Sequence, residues 1–166
     1  MKILIDTNII VLGLLWNNKE SLILNEIFKG KFEAVVSSEI IDEYKHALTK
    51  VLYKLERYFD YDFSRILNSF SVIDSNTRIF ICRDSKDNKF LECAFDAKAY
   101  YIVSGDKDLT SIKDDIKDYF GIEIITAKDF CDKFGIFGGA TPANGASSSI
   151  GVTSSNEETK SKKNHM

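Results

Sequence analysis

Short apolar runs closed by polar breaks punctuate the chain. Lys2 to Ile5 is the first, followed at once by Asp6-Thr7-Asn8. Phe32 to Val36 is the second, and Tyr100 to Val103 and Ile122 to Ile125 close the series. Between them, Ser71 to Ile81 contains one or two short extended pieces. Runs of four or five apolar residues bounded by polar or turn residues suit buried strands. The intervening segments carry apolar residues at helical spacing. Ile9 to Trp16 reads as a helix, and so does Leu22 to Phe28, with Ser21 as its cap and Gly30 as its end. Ser37 or Ser38 caps a long helix to about Leu52, with Ile40, Ile41, Tyr44, Leu48 and Val51 on one side. Further helices are predicted from about Asp62 to Phe70, from Asp87 to Ala99 and from Ala127 to Phe134. Phe90, Leu91, Ala94 and Phe95 set the inner side of the helix that Asp87 starts.

Strands alternating with helices predict an α/β fold with a mostly parallel, about five-stranded sheet. The strands are apolar throughout, as expected when helices cover both faces. The periodic pattern stops at Phe137. Residues 138–166 are rich in Gly, Ser, Thr, Asn and Ala and hold the single proline, Pro142. The expected organisation is one folded domain, 1–137, and a disordered low-complexity tail, 138–166.

Composition narrows the function classes. The chain has 166 residues, 22 basic and 25 acidic, for a net charge of −3. The tail holds three lysines and two glutamates, so residues 1–137 carry 19 basic and 23 acidic side chains, net −4. A simple electrostatic nucleic-acid binder carries a basic surplus instead. Apolar runs stay far short of the roughly 20 residues that cross a bilayer. The opening Met1-Lys2-Ile3-Leu4-Ile5-Asp6 is not expected to be a signal peptide, because it meets an acid at once. Cys82, Cys93 and Cys131 are odd in number and well separated, which suggests reduced thiols in a cytoplasmic protein. His46 and His165 are the only histidines. A zinc centre or a histidine-based triad has little to be built from.

The acids have a more specific distribution. In parallel sheets, ligands bind beyond the carboxyl ends of the strands. Asp6 directly follows the first strand, and Asp106 and Asp108 follow Tyr100–Val103 in Ser104-Gly105-Asp106-Lys107-Asp108. Gly105 is expected to let the backbone turn tightly there. Asp87 starts the helix that leads into the same strand. Glu43 lies at the margin of the inner face of the long helix. Asp84 reads as loop decoration, and Asp42, Glu92 and Asp96 as surface charges. Several carboxylates meeting in one crevice raise each other's pKa or demand a cation. Oxygen ligands without histidine select hard cations such as Mg²⁺ or Mn²⁺. Such ions serve phosphodiester chemistry.

Three segments carrying these acids resemble the PIN-domain ribonucleases, in particular the VapC-like toxin branch of bacterial and archaeal toxin–antitoxin systems. They are Ile3-Leu4-Ile5-Asp6-Thr7-Asn8-Ile9-Ile10, then Val36-Ser37-Ser38-Glu39-Ile40-Ile41-Asp42-Glu43-Tyr44. The third runs from Asp87-Asn88-Lys89-Phe90-Leu91-Glu92-Cys93-Ala94 to Tyr101-Ile102-Val103-Ser104-Gly105-Asp106-Lys107-Asp108-Leu109. The resemblance covers about residues 2–134 and implies a three-layer α/β/α sandwich. It implies catalytic acids Asp6, Glu43, Asp87 and Asp106, with the metal held by Asp6, Asp87, Asp106 and Asp108. Thr7, Asn8 and Ser104 match supporting polar positions. Where the family usually shows a proline and an Asp-x-Asp-Asp stretch, this chain has Arg83-Asp84-Ser85-Lys86-Asp87. Asp87 is the match because it precedes Phe90-Leu91 at the right helical offset. Lys86, Lys89 and Lys107 lie beside the acids and would meet RNA phosphates. The implied function is a Mg²⁺- or Mn²⁺-dependent endoribonuclease, a homodimeric toxin neutralised by an antitoxin protein. The alternatives are another Mg²⁺-dependent phosphoryl hydrolase and a catalytically silent PIN-like binding module. A haloacid-dehalogenase-like phosphatase needs Asp-x-Asp after the first strand, and Asn8 stands in place of the second Asp.

Overall fold

A computed structural model describes residues 1–56 and 63–139. The tail beyond residue 139 lies outside the described residues, as does Asp62, the expected start of the fourth helix. Five parallel strands form one sheet in the order β3-β2-β1-β4-β5. They are β1 (Lys2–Ile5), β2 (Glu33–Val36), β3 (Phe70–Val72), β4 (Tyr101–Val103) and β5 (Glu123–Ile125). β1 is central, with Leu4 opposite Val35 on one side and Ile102 on the other. Ile3, Leu4 and Ile5 are each fully buried. Successive strand side chains point to opposite faces, so the sheet is covered on both. Helices flank it, as in the α/β/α sandwich.

The helices are α1 (Thr7–Leu15), α2 (Lys19–Phe28), α3 (Ser38–Lys54), α4 (Ser64–Ser69), α5 (Asn88–Asp96), α6 (Lys107–Thr110), α7 (Lys113–Phe120) and α8 (Ala127–Phe134). Several boundaries differ from the sequence pattern for local reasons. Asn18, not Ser21, caps α2: its side chain accepts from the Ser21 N–H, and Ser21 reciprocates at the Asn18 N–H. Ser21 is thus the third residue of a capping box. Ser37 caps α3 by accepting from the Ile40 N–H. Phe70 leaves the fourth helix to begin β3, where it pairs with Ala34. α5 stops at Asp96, three residues earlier than expected, and Lys98 takes a positive φ of 56°. α6 and α7 lie in a stretch where no helix was predicted.

α1 and α2 approach closely at Gly13. A Cβ there would sit 2.8 Å from the backbone carbonyl carbon of Glu20. Only glycine allows that spacing without displacement of a helix. Tyr44 of α3 is fully buried, and its hydroxyl donates to the Ile5 carbonyl at the end of β1. This bond ties the long helix to the strand end that carries Asp6.

Glu92 and Asp96 are not the surface charges that the sequence suggested. Glu92 is buried and accepts from the Ile79 N–H, with Arg78 beside its other oxygen. Asp96 accepts from the N–H groups of Asn76 and Thr77 and from the Ser75 and Thr77 hydroxyls. Burial pushes its carboxyl up, but these hydrogen bonds together outweigh that and hold it below the usual carboxylate range. Together the two acids strap the extended segment after β3 onto α5. They supply the backbone partners that a segment outside the sheet lacks. Cys82, Cys93 and Cys131 are free thiols. No described helix is long and apolar enough to cross a membrane.

Candidate functional site

The strand order sets where the site can be. From β1 the chain moves to β2 and β3 on one side, and then to β4 and β5 on the other. A crevice opens at such a switch point, beyond the carboxyl ends of the two diverging strands. Those strands are β1 and β4, and the residues that follow them are Asp6 and Ser104–Asp106. The Asp6 N–H donates to the Val103 carbonyl at 3.0 Å, which carries the β1–β4 pairing one residue further.

Asp6 stands at the N-cap position of α1 and is buried. Its Oδ2 accepts from the Ser104 hydroxyl at 2.6 Å, and the same hydroxyl oxygen accepts from the Asp106 N–H at 3.0 Å. Ser104 is fully buried, so it couples the two strand-end acids rigidly. Burial pushes the Asp6 carboxyl up, the Ser104 hydrogen bond opposes that, and the charges of Asp106 and Glu43 push it further up. Asp106 caps α6 by accepting from the Asp108 N–H at 2.8 Å. Gly105, between Ser104 and Asp106, does not have a positive φ and a Cβ there would meet nothing within 4 Å. The tight turn expected of it is not required.

Asp87 arrives on the far side, at the end of a 3₁₀ turn (Ser85–Asp87) that leads into α5. It occupies the N-cap position of α5, but its side chain makes no capping hydrogen bond. The capping work falls to Asp84, whose carboxylate accepts from the Lys86 N–H at 3.0 Å. Asp84 is thus a structural acid of the turn, and Asp87 is left facing its neighbours. One oxygen each from Asp87, Asp106 and Asp108 lie within 4.8 Å of one another. Burial, then the charges of Asp106, Asp84, Asp6 and Asp108, push the Asp87 carboxyl up to about 6.

Glu43 reaches the same region from α3, half-buried. Its Oε1 accepts from the Thr7 hydroxyl at 2.5 Å, and its Oε2 pairs with the Lys89 ammonium. Lys89 is only 13% exposed, so it turns inward where the sequence placed it among three phosphate-facing lysines. Lys86 and Lys107 are exposed. Asn8 is exposed on α1 and lines a groove of about 600 Å³ with Ile9, Leu12, Trp16 and Asp106. Arg83 carries no signal in the sequence beyond its place in Arg83-Asp84-Ser85-Lys86-Asp87. It nevertheless reaches Asp108 at 2.6 Å. Asn88 is another contributor that periodicity does not reveal. Its buried side chain accepts from the N–H groups of Ile81 and Cys82 and fixes the strand-like approach to Asp87.

The donor set fits a divalent metal of the hard class. All three converging ligand atoms are carboxylate oxygens. The nearby Cys82 thiol is pushed up to about 11, first by burial and then by Asp87, Asp108, Asp84 and Asp106. It stays protonated near neutral pH in the metal-free protein and is not among the converging ligand atoms.

Residues 2–108 match the PIN domain family. The chain belongs to the PIN-domain family. PIN domains form a superfamily of metal-dependent nucleases, and this chain presents an acid cluster at the β1–β4 switch point. The PIN match ends at Asp108, the last of the converging acids. The chain is also similar to an uncharacterized protein of Methanocaldococcus jannaschii. The two are 33% identical over 145 residues, covering 81% of this chain and 92% of that protein. No solved structure matches the chain.

Proposed function

We propose that this PIN domain is a Mg²⁺- or Mn²⁺-dependent endoribonuclease, the toxin of a toxin–antitoxin pair. The observation that carries the reading is the convergence of Asp87, Asp106 and Asp108 beside a buried Asp6. Asp6, Asp87, Asp106 and Asp108 would hold the metal. A bound ion would supply positive charge for the developing phosphoryl oxyanion and lower the pKa of a coordinated water. Glu43, fixed by Thr7 and Lys89, orients the attacking water toward phosphorus. Ser104 and Thr7 keep Asp6 and Glu43 in their rotamers, and Asn8 borders the crevice. Lys86 and Lys107, exposed on either side of the acids, contact the RNA backbone.

Charge supports a metal-dependent mode of RNA binding. Residues 1–137 carry net −4, and carboxylates lining the crevice repel phosphate until a cation is bound. Leu12 of α1 and Trp16 at its C-cap, 40% and 41% exposed, supply apolar surface for a homodimer. The antitoxin is the second proposed partner, and the cytoplasm the proposed compartment. The folded unit is proposed to be residues 1–137, with 138–166 as a tail outside it. The test is cleavage of RNA by the purified chain. Endonucleolytic products are expected with Mg²⁺ or Mn²⁺ and none in chelator. Cleavage that persists in chelator, or turnover of p-nitrophenyl phosphate with no attack on RNA, would overturn the assignment.

A further inference from the structure

The acids of the crevice divide into two sets. Asp87, Asp106 and Asp108 converge within 4.8 Å, and their three oxygens can share one ion. Glu43 is outside that group, and both of its oxygens are engaged: Oε1 by the Thr7 hydroxyl, Oε2 by the Lys89 ammonium. Lys89 is a first-turn residue of α5, two positions after Asp87, and its side chain is 13% exposed against 33% for Glu43. A nearly buried ammonium keeps its charge only beside an anion. The ion pair joins α5 to α3, two elements that also pack on each other.

We propose that Lys89 is a built-in counter-cation that commits Glu43 to an ion pair and limits the crevice to one divalent cation. The inference rests on the metal-site reading above. A second divalent ion needs carboxylate oxygens of its own. Glu43 is the acid left over once Asp87, Asp106 and Asp108, with Asp6 beside them and tied to Ser104, are committed to the first ion. Glu43 cannot take part without ejecting an ammonium that has little access to water. Lys89 also holds Glu43 aimed, so it acts on the reaction through Glu43 and is a positioning residue. An ammonium bonded at one end of an α5 side chain holds that place without exchange, whereas a bound ion would leave and return.

The experiment is Mn²⁺ titration of the full chain by calorimetry, with melting curves as the control for folding. The wild type is expected to bind one ion. Lys89→Met, which keeps the chain length and removes the charge, is expected to bind two. Lys89→Met combined with Glu43→Gln is expected to return to one, and Lys89→Arg to stay at one. Should Lys89→Met fail to fold, Glu43→Gln alone decides. It is expected to keep one ion with less than the roughly ten-fold affinity loss that follows removal of a partner of a metal ligand. Two ions in the wild type, one ion in folded Lys89→Met, or a larger loss of affinity in Glu43→Gln would overturn the proposal. No Mn²⁺ binding by the wild type would instead overturn the metal-site reading and this inference with it.

Discussion

Asp87→Asn is expected to stabilise the metal-free protein at neutral pH and destabilise its metal-bound form relative to wild type. Asp87 titrates near 6, against an ordinary value of 3.8, because of burial and four neighbouring carboxylates. A carboxyl raised on folding contributes stability that is fully present below 3.8 and is lost as pH rises through about 6. At about 1.36 kcal/mol per pKa unit the whole shift corresponds to about 3 kcal/mol. The side chain is half-exposed, so solvent screening reduces this to about 1 kcal/mol. The amide removes the charge and breaks no capping bond, since Asp87 makes none. Thermal melts in chelator between pH 4.5 and 7.5 measure the effect. Wild type should melt progressively lower as pH rises through about 6 and level off above it. At pH 7.5 the variant should melt higher by about 3–4 °C, the usual equivalent of 1 kcal/mol for a domain of this size. Mn²⁺ at one hundred times its dissociation constant adds about 2.7 kcal/mol to a protein that binds it only when folded, so the order should reverse with metal. A wild-type melting point independent of pH in chelator, or a lower one for Asp87→Asn at pH 7.5, would refute the reasoning.

Three more outcomes follow from particular contacts. Ser104→Ala leaves Asp6 and the Asp106 N–H without their shared partner, so it should cost about 1–3 kcal/mol in urea unfolding. It should also weaken Mn²⁺ binding at least about ten-fold by calorimetry. Tyr44→Phe removes the donor to the Ile5 carbonyl, and the unfolding free energy should fall by about 1–3 kcal/mol; an unchanged urea midpoint would show that the carbonyl finds another partner. Gly13→Val places a branched side chain against the Glu20 backbone, and a loss of at least about 1–3 kcal/mol is expected in the same assay.

Much of this arrangement is legible in the residues themselves. β1, β2, β4 and β5 are buried on both faces over their last two or three residues, so each appears as a short apolar run after at most one charged residue, and the strand-end rule then points to Asp6 and Asp106. Other features depend on contacts that periodicity does not encode. α7 fully buries only Ile116, with Tyr119 exposed, so its short apolar set of Ile116, Tyr119 and Phe120 among five charged residues is a weak helical signal. β3 is three residues long with Val72 exposed, which blurs it into the extended stretch that follows. Glu92 and Asp96 look like ordinary helix-surface acids because the backbone groups they satisfy lie 13 to 20 residues away along the chain. Lys89 reads as a solvent lysine for a similar reason. Its partner Glu43 is on a helix distant in sequence, and only the packing of α5 on α3 brings them together. Asp87 combines both cases. Its place before a helix is visible, but the absence of a capping bond, which frees it for the cluster, is a property of the 3₁₀ turn and of Asp84.

The most direct test of the central claim is single-turnover cleavage of RNA in Mn²⁺ by the wild type and by the Asp6→Asn, Asp106→Asn double variant, with melting curves showing both to be folded. The acid crevice at the β1–β4 switch point predicts cleavage by the wild type and none by the double variant. Full cleavage by the folded double variant would contradict it.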